Sequence, residues 1–591
     1  MAAEQIIVVG GGLAGLSTTI KISELGVRSC LVSIVPVKRS HSVCAQGGIN
    51  AAVNLKGEGD HPDIHFDDTI YGGDFLANQG LVREMCYKAP EIIRLLDRMG
   101  VPFNRTDEGL LDFRRFGGTL HHRTAYAGAT TGQQLMYALD EQVRRYEAQG
   151  LVTKYENTEF LGLVLDDNGR LRGVVIKDIF TGELTALPGS ACVICTGGPG
   201  GLIFGKSTNS VINTGAAASR CYQQGVRYAN GEFIQIHPTA MAGADKFRLI
   251  SESVRGEGGR VWVPRKKGDT RDPLDIPENE RWYFLEEKFP KYGNLVPRDV
   301  ASRVIHQVCV NEGMGVGGKK QVYLDVSHID RETLRRKLGG VLEIYEKFAG
   351  EDPYTRPMKV YPAVHYSMGG LWTNTTDGMT NIPGVFAAGE VNYQYHGANR
   401  LGANSLISCI FEGLFVAGPG AVKYARNTTA GGNGAKFLEQ ELARQREIEE
   451  QIRRMDGPEN PFSMMNELGE WMSNHVTVVR ENKTLEETAG HLRAMLERWN
   501  RAGNPDKADG PNQMISMLRA LKDGLILAEV ITRGALLRDE SRGAHYKPAF
   551  PKRDDARFLK TTIATHSPDG PVISYEDVDV SFIPPRERKY T

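Results

Sequence analysis

The stretch RSHSVCAQGGIN, Arg39 to Asn50, sets a histidine in a polar loop. A histidine that fills a core sits in an apolar pattern, yet His41 is flanked by Ser40 and Ser42. The Gly47-Gly48 pair that follows lets backbone come close to whatever lies there, so the loop is shaped to meet a ligand. A second signal of the same kind precedes it. Gly10, Gly12 and Gly15 satisfy G-x-G-x-x-G, a spacing that brings backbone amides and a helix N-terminus up to a pyrophosphate. Ser33 stands where an acidic residue usually binds the ribose. Its hydroxyl can still hydrogen-bond a ribose, but the exchange weakens a nicotinamide-dinucleotide reading.

The elements that must position these groups are legible around them. QIIVVGGGLAGLSTTIKISELG reads as strand, glycine turn and helix, and SCLVSIV as the next strand. CTGGPGG, Cys195 to Gly201, follows another apolar strand. IPGVFAAGE, Ile382 to Glu390, puts a glycine and a carboxylate at the end of a further one. Flavoproteins with two dinucleotide-binding domains close their FAD site with such a returning element, so the expected dinucleotide is FAD. Cys192 and Cys195 have CxxC spacing but lie in a strand, where residues three apart face opposite ways. Neither a disulfide nor a metal is expected there, and no metal site is expected elsewhere.

The chain has 591 residues, too many for one core, and should divide into about two to four domains. Hydrophobic residues at 41% and charged residues at 24% are those of a soluble globular protein. A net charge of -1 gives no reason to expect nucleic acid. The scattered cysteines fit a reducing compartment. No leader is expected ahead of the first strand at Gln5. No apolar run is expected to approach the ~20 residues that span a bilayer, so membrane association would fall to another chain.

Many collinear motifs, R-S-H-S…A-Q-G-G at 39–48, F-G-G at 116–118, H-P-T at 237–239, S-E-x-x-R-G-E-G-G at 251–259, P-R-D at 297–299, H-Y-S-M-G-G at 365–370, H-G-A-N-R-L-G-A-N-S-L at 396–406 and R-D-E-S-R-G-A-H at 538–545, resemble the flavoprotein subunits of succinate dehydrogenase and fumarate reductase. The resemblance covers nearly the whole length. HHRTAYAGATTGQQLMYAL looks most like the branch found in Gram-positive bacteria and several menaquinone users. The resemblance implies that FAD is joined covalently to His41. It also implies cofactor contacts from Gly10, Gly12, Ala14, Gly15 and Ser33, from Ser40, Ser42, Ala45, Gln46, Gly47 and Gly48, and from Gly197, Gly198, Glu390, Asn404, Ser405 and Leu406.

The substrate it implies is a four-carbon dicarboxylate. Such a site must pin two carboxylates, aim one C–H at the flavin and move a proton on the neighbouring carbon. His237 and Ser251 resemble the donors to one carboxylate, His365 and Arg400 those to the other. Phe116 resembles an aromatic packed on the bound acid, with Gln235 a polar contact nearby. Residue chemistry alone would nominate a histidine as acid–base, because arginine is treated as permanently protonated. The resemblance assigns the proton instead to Arg298, relayed by Glu252 and Arg255. Three departures stand out: Ser251 replaces a threonine, Val254 stands where some members carry a cysteine, and Ala216 replaces an aspartate that contacts FAD.

The expected fold is α/β: a Rossmann-like FAD-binding domain, 1–240 and 355–425, with an inserted α+β capping domain, 241–354. A helical bundle, 426–540, and a C-terminal domain, 541–591, follow. The bundle begins after the Gly-rich break 429–435, with helices near 463–480, 484–500 and 513–537. The resemblance implies an iron–sulfur partner subunit and a cytochrome b-type membrane anchor, placing the chain at the cytoplasmic face of a bacterial inner membrane without direct insertion. The enzymatic alternative is an L-aspartate oxidase, a related flavoenzyme that lacks the covalent histidine and the R-D-E-S-R-G tail pattern.

Overall fold

The computed structural model describes residues 5–243, 245–428 and 434–590; the first five residues of the glycine-rich break, 429–433, lie outside them. Five parallel strands form the first layer: β1 (Gln5–Val9), β2 (Arg28–Val32), β3 (Val152–Tyr155), β4 (Ala191–Ile194) and β5 (Val385–Ala387), in the order β5-β4-β1-β2-β3. Their near-continuous apolar runs follow from burial on both faces. Ile6, Val8, Leu31 and Val193 pack to one side with α1 (Leu13–Glu24), while Ile7, Val9, Val32 and Ile194 pack to the other. Cys192 and Cys195 join opposite cores, and both thiols are free, as the strand periodicity predicts.

A six-stranded sheet stands beside this layer. Its spatial order is Phe247–Leu249, Ile234–Ala242, Met358–Ser367, Val322–Asp325, Arg260–Pro264 and Arg281–Trp282. Trp262, Phe284, Ile305 and Leu338 fill its core. The pairing of its two long central strands shifts register on either side of His237. Such bulges re-aim side chains, and here they turn His237 towards the first layer's cleft.

The helices Gly434–Arg454, Pro461–His475, Asn482–Trp499 and Gln513–Leu537 form the third part. The second ends at His475, earlier than the sequence pattern predicts. The reason is Arg480: the chain leaves the helix so that this fully buried side chain can donate to Glu232 O (2.7 Å) and reach His545 Nδ1 (2.6 Å). The strands Lys560–Thr565 and Val572–Asp577 make a hairpin that pairs onto Tyr228–Ala229, fastening the tail to the body.

One expectation is corrected. The continuous helical run Asn404–Asn427 is 24 residues long and apolar enough, by length and composition, to cross a membrane. Its most apolar window is 78% buried, because it packs on α1 as the core helix of the first layer. Glu412 and the triplet Gly418-Pro419-Gly420 break up the apolar pattern in the sequence and hide its length.

Candidate active site

The parallel sheet, the six-stranded sheet and the helical part enclose a cleft of about 860 Å³, within the size range of cofactor sites. One half is built from backbone. Gly10 has φ +115°, and a Cβ there would lie 2.2 Å from Cys195 O. Gly10, Gly12 and Ala14 line the cleft. Gly15 does not; it lets α1 sit against the turn, where a Cβ would come within 1.8 Å of Gly10 O. Ser33 closes β2 at the rim, its hydroxyl donating to Val35 O (2.6 Å).

The His41 loop forms the roof. Ser40, Ala45, Gln46, Gly47 and Gly48 face the cleft with it, and Ser42 Oγ accepts the Leu13 amide (3.3 Å), tying the loop to α1. His41 Nδ1 accepts the Ser210 amide (3.3 Å), and Nε2 lies 3.4 Å from Asn209 Nδ2. Burial, reinforced by Lys246, pushes the imidazole down to about 4, so it is neutral at physiological pH. A neutral ring has a lone pair on its unprotonated nitrogen, which nucleophilic attack would use in place of the hydrogen bond from Ser210. Arg114, which the sequence reading missed, clamps the loop by donating to Gly47 O and Gln46 O (both 3.0 Å).

The returning strand β5 delivers Glu390. Its carboxyl accepts the Ser367 amide (2.9 Å) and the Gly198 amide, and burial pushes it up to about 7. Gly197 lines the cleft, whereas Gly198 stands behind it against Glu390. Ser405 and Leu406 line it at the start of the helix Asn404–Phe411. The Asn404 side chain points elsewhere: Oδ1 accepts from Asn50 Nδ2 (2.8 Å) and Nδ2 donates to Thr69 Oγ1 (2.9 Å). It stitches core elements together. Near Ala216 the wall carries Glu159 and Arg220, ion-paired at 2.8 Å.

The other half is built from charged and polar side chains. Arg298 opens the helix Arg298–His306 and reaches the cleft. Its Nε and Nη2 both donate to Glu252 Oε2 (2.9 and 2.8 Å), and Nη1 donates to Gln235 Oε1 (2.9 Å). Glu252 Oε1 accepts from Arg255 Nη2 (2.8 Å), and Arg255 Nη1 donates to Asn294 O (2.5 Å). Burial raises the Glu252 pKa, but Arg298 and Arg255 outweigh it and hold the carboxyl below its usual range. Gln235 and Arg255 thus stand behind the cleft wall, while Arg298 and Glu252 form it.

His237 and His365 face each other, ring centres 5.0 Å apart. Burial, then the nearby Arg298, keeps both well below the normal histidine pKa. Thr208 Oγ1, also missed by the sequence reading, fixes His365 through Nδ1 (2.8 Å). His237 Nε2 and Arg400 Nε are buried without a partner among the described residues. Arg400 stacks over Tyr366 (4.6 Å), and burial together with Arg298 pushes it down to about 9. Ser251 lies on the same wall, and the Phe116 ring fills the space a Cβ on Gly47 would take, 2.8 Å away. Orphaned donors of this kind, too costly to bury alone, call for an anion.

Comparison with known proteins agrees with this geometry. A family model for an FAD binding domain matches residues 5–406, and one for the fumarate reductase flavoprotein C-terminal region matches 465–590. The chain is 59% identical to the succinate dehydrogenase flavoprotein subunit of Bacillus subtilis (strain 168), covering 100% of this chain and 99% of the relative. It is 32% identical to the fumarate reductase flavoprotein subunit of Escherichia coli (strain K12), covering 99% and 96%. The solved structure of E. coli quinol fumarate reductase superimposes with a TM-score of 0.89 at 31% identity, covering 100% of this chain and 99% of that one.

Proposed function

The chain belongs to the family of succinate dehydrogenase and fumarate reductase flavoprotein subunits, and from that premise we propose that it interconverts succinate and fumarate beside an FAD joined covalently to His41. The protein is an FAD-binding oxidoreductase. The glycine-built half of the cleft fits the dinucleotide, and the neutral His41 on its roof fits a covalent link. The FAD, when bound, supplies the group that exchanges a hydride with the substrate carbon.

What the chain's own residues do follows from their charge states. His237 with Ser251, and His365 with Arg400, grip the two carboxylates, and Arg400 can do so bidentately. Histidines held neutral can donate hydrogen bonds, but near pH 7 they have no proton to spare as general acids. That leaves Arg298. It holds the proton destined for the substrate carbon during fumarate reduction and takes it back during succinate oxidation. Glu252 and Arg255 continue the chain behind it as far as the Asn294 carbonyl. The observation that carries the reading is this buried Arg298–Glu252–Arg255 chain, which ends in the cleft between the orphaned donors.

The division of labour follows. Residues 1–240 and 355–425 hold the FAD, and 241–354 cap the substrate and exclude water. The helical part, 426–540, and the tail, 541–591, brace the body. The likeness to flavoprotein chains of quinol–fumarate reductase supports electron transfer onward to an iron–sulfur subunit. A cytochrome b-type anchor would then hold the assembly at the cytoplasmic face of a bacterial membrane, with a quinone as acceptor. The test is mass analysis of the 39–50 peptide together with an assay of the purified chain. The peptide should carry FAD, and succinate should reduce an artificial acceptor but not quinone. An unmodified peptide, or a flavin that succinate leaves oxidised, overturns the reading.

A further inference from the structure

The segment 579–590 crosses the seam between cap and body. Its start is fixed by Gln79, which donates to Ile583 O (2.8 Å) and accepts from the Phe582 and Ile583 amides (3.1 and 2.8 Å). Arg586 pairs with Asp67, and the Tyr71 hydroxyl bonds the carbonyls of Glu587 and Lys589 (3.3 and 3.2 Å). The chain then turns inward. Tyr590 is buried in the core of the six-stranded layer, its ring 5.5 Å from Tyr71 of the body and 5.3 Å from Tyr292 of the cap.

Arg588, its side chain 9% exposed, bridges two carboxylates. Nη1 donates to Asp299 Oδ2 (3.0 Å) and Asp74 Oδ2 (3.3 Å), and Nη2 donates to Asp299 Oδ1 (3.3 Å). Asp299 neighbours Arg298 in the first turn of its helix. Asp74 is an anchored point on the body: its carboxylate accepts the Gly543 amide (2.9 Å) and Arg553 Nη1 (2.7 Å), and its carbonyl accepts Arg542 Nη1 (3.0 Å). One guanidinium therefore ties the start of the Arg298 helix to a fixed place on the FAD-binding body. A fork on two oxygens constrains direction as well as distance.

We infer that Arg588 is a positioning residue for the proton transfer, and that the segment 579–590 is a strap holding the Arg298 helix in register with the body. The inference rests on Arg298 as the proton carrier. The strap touches neither FAD nor substrate and acts only by fixing where Arg298 stands. A shift of about 1 Å at a transferring group can cost on the order of a hundredfold in rate.

The experiment compares Arg588→Ala, Arg588→Lys and Arg298→Lys in the full-length flavinylated protein. Flavin content, malonate-induced change of the flavin spectrum, kcat, KM and the solvent deuterium effect on kcat are measured for each. Arg588→Ala should lose kcat by about ten- to a hundredfold, with flavin content and malonate affinity near wild type and a larger deuterium effect. Arg588→Lys, which keeps the charge without the fork, should fall between and serves if the alanine variant does not fold. An unchanged kcat in both Arg588 variants overturns the strap, as does a loss of flavin and malonate binding in step with kcat at a constant deuterium effect. If Arg298→Lys itself turns over normally, the fault lies in the proton assignment and not in the strap.

Discussion

The two halves of the cleft are made in opposite ways. The cofactor half works by leaving side chains out: Gly10, Gly12 and Gly47 bring backbone up to the cleft, and the G-x-G-x-x-G turn at its centre is fixed by local sequence. The substrate half works by bringing side chains in from separate places. Arg298, Glu252, His237, His365 and Arg400 reach one wall from different elements; Arg298 and His365 are aimed by partners distant in sequence, His237 by its near neighbour Thr239. The first half tolerates little change of shape, the second little change of charge. Arg298→Lys separates the two most sharply. Lysine keeps the charge but cannot make the double bond to Glu252, so turnover should fall by about 10²- to 10⁴-fold with flavin content intact. A rapid-mixing assay of flavin reduction by succinate checks it, and wild-type rates would return the proton to another group.

Gly47 lies where the halves meet. A methyl there would collide with the Phe116 ring 2.8 Å away, and overpacking costs about 1–3 kcal/mol. Gly47→Ala should therefore weaken dicarboxylate binding by about ten- to a hundredfold and reduce flavin content at the same time. A variant that loses only one of the two would show that the roof and the substrate wall are mechanically independent. Malonate titration and the ratio of flavin to protein absorbance measure both.

How much of this was legible in the sequence follows the same division. Gly10, Gly12 and Gly15 form one local motif, and the structure puts them at one turn. Arg114 and Thr208 carried no such signal, since their partners Gly47 and His365 are 67 and 157 residues away and only the fold joins them. Motif membership does not say what a side chain does: Asn404 sits in the same stretch as Arg400 and Ser405, but its side chain bonds Asn50 and Thr69. The early end of the Pro461–His475 helix had the same cause, a buried arginine whose partners lie in other parts of the chain.

Titration should sharpen the contrast next. Arg400 is pushed down to about 9 by burial and by Arg298, so the free site loses charge as pH rises through that value. A bound carboxylate holds the guanidinium protonated. Dicarboxylate affinity should accordingly fall by about tenfold per unit above pH 9, while flavin content stays level. Between pH 6 and 8 the affinity should show no histidine step, because His237 and His365 are both held well below that range. Malonate titrations at fixed ionic strength test both, and a step near pH 6.5 would mean that at least one histidine is charged when it binds.

The smallest expected effect probes how the substrate half is aimed. Thr208 Oγ1 is 2.8 Å from His365 Nδ1. Thr208→Val keeps the shape and removes the hydroxyl, leaving that nitrogen unpaired inside the protein. A net hydrogen bond of about 1 kcal/mol corresponds to a rise in KM of about fivefold, with kcat and flavin content little changed. Thr208→Ser should restore the wild-type KM, because a serine hydroxyl can make the same bond. A fall in kcat larger than the rise in KM would place His365 among the groups that act in the transition state, and the division between gripping residues and the Arg298 chain would then have to be redrawn.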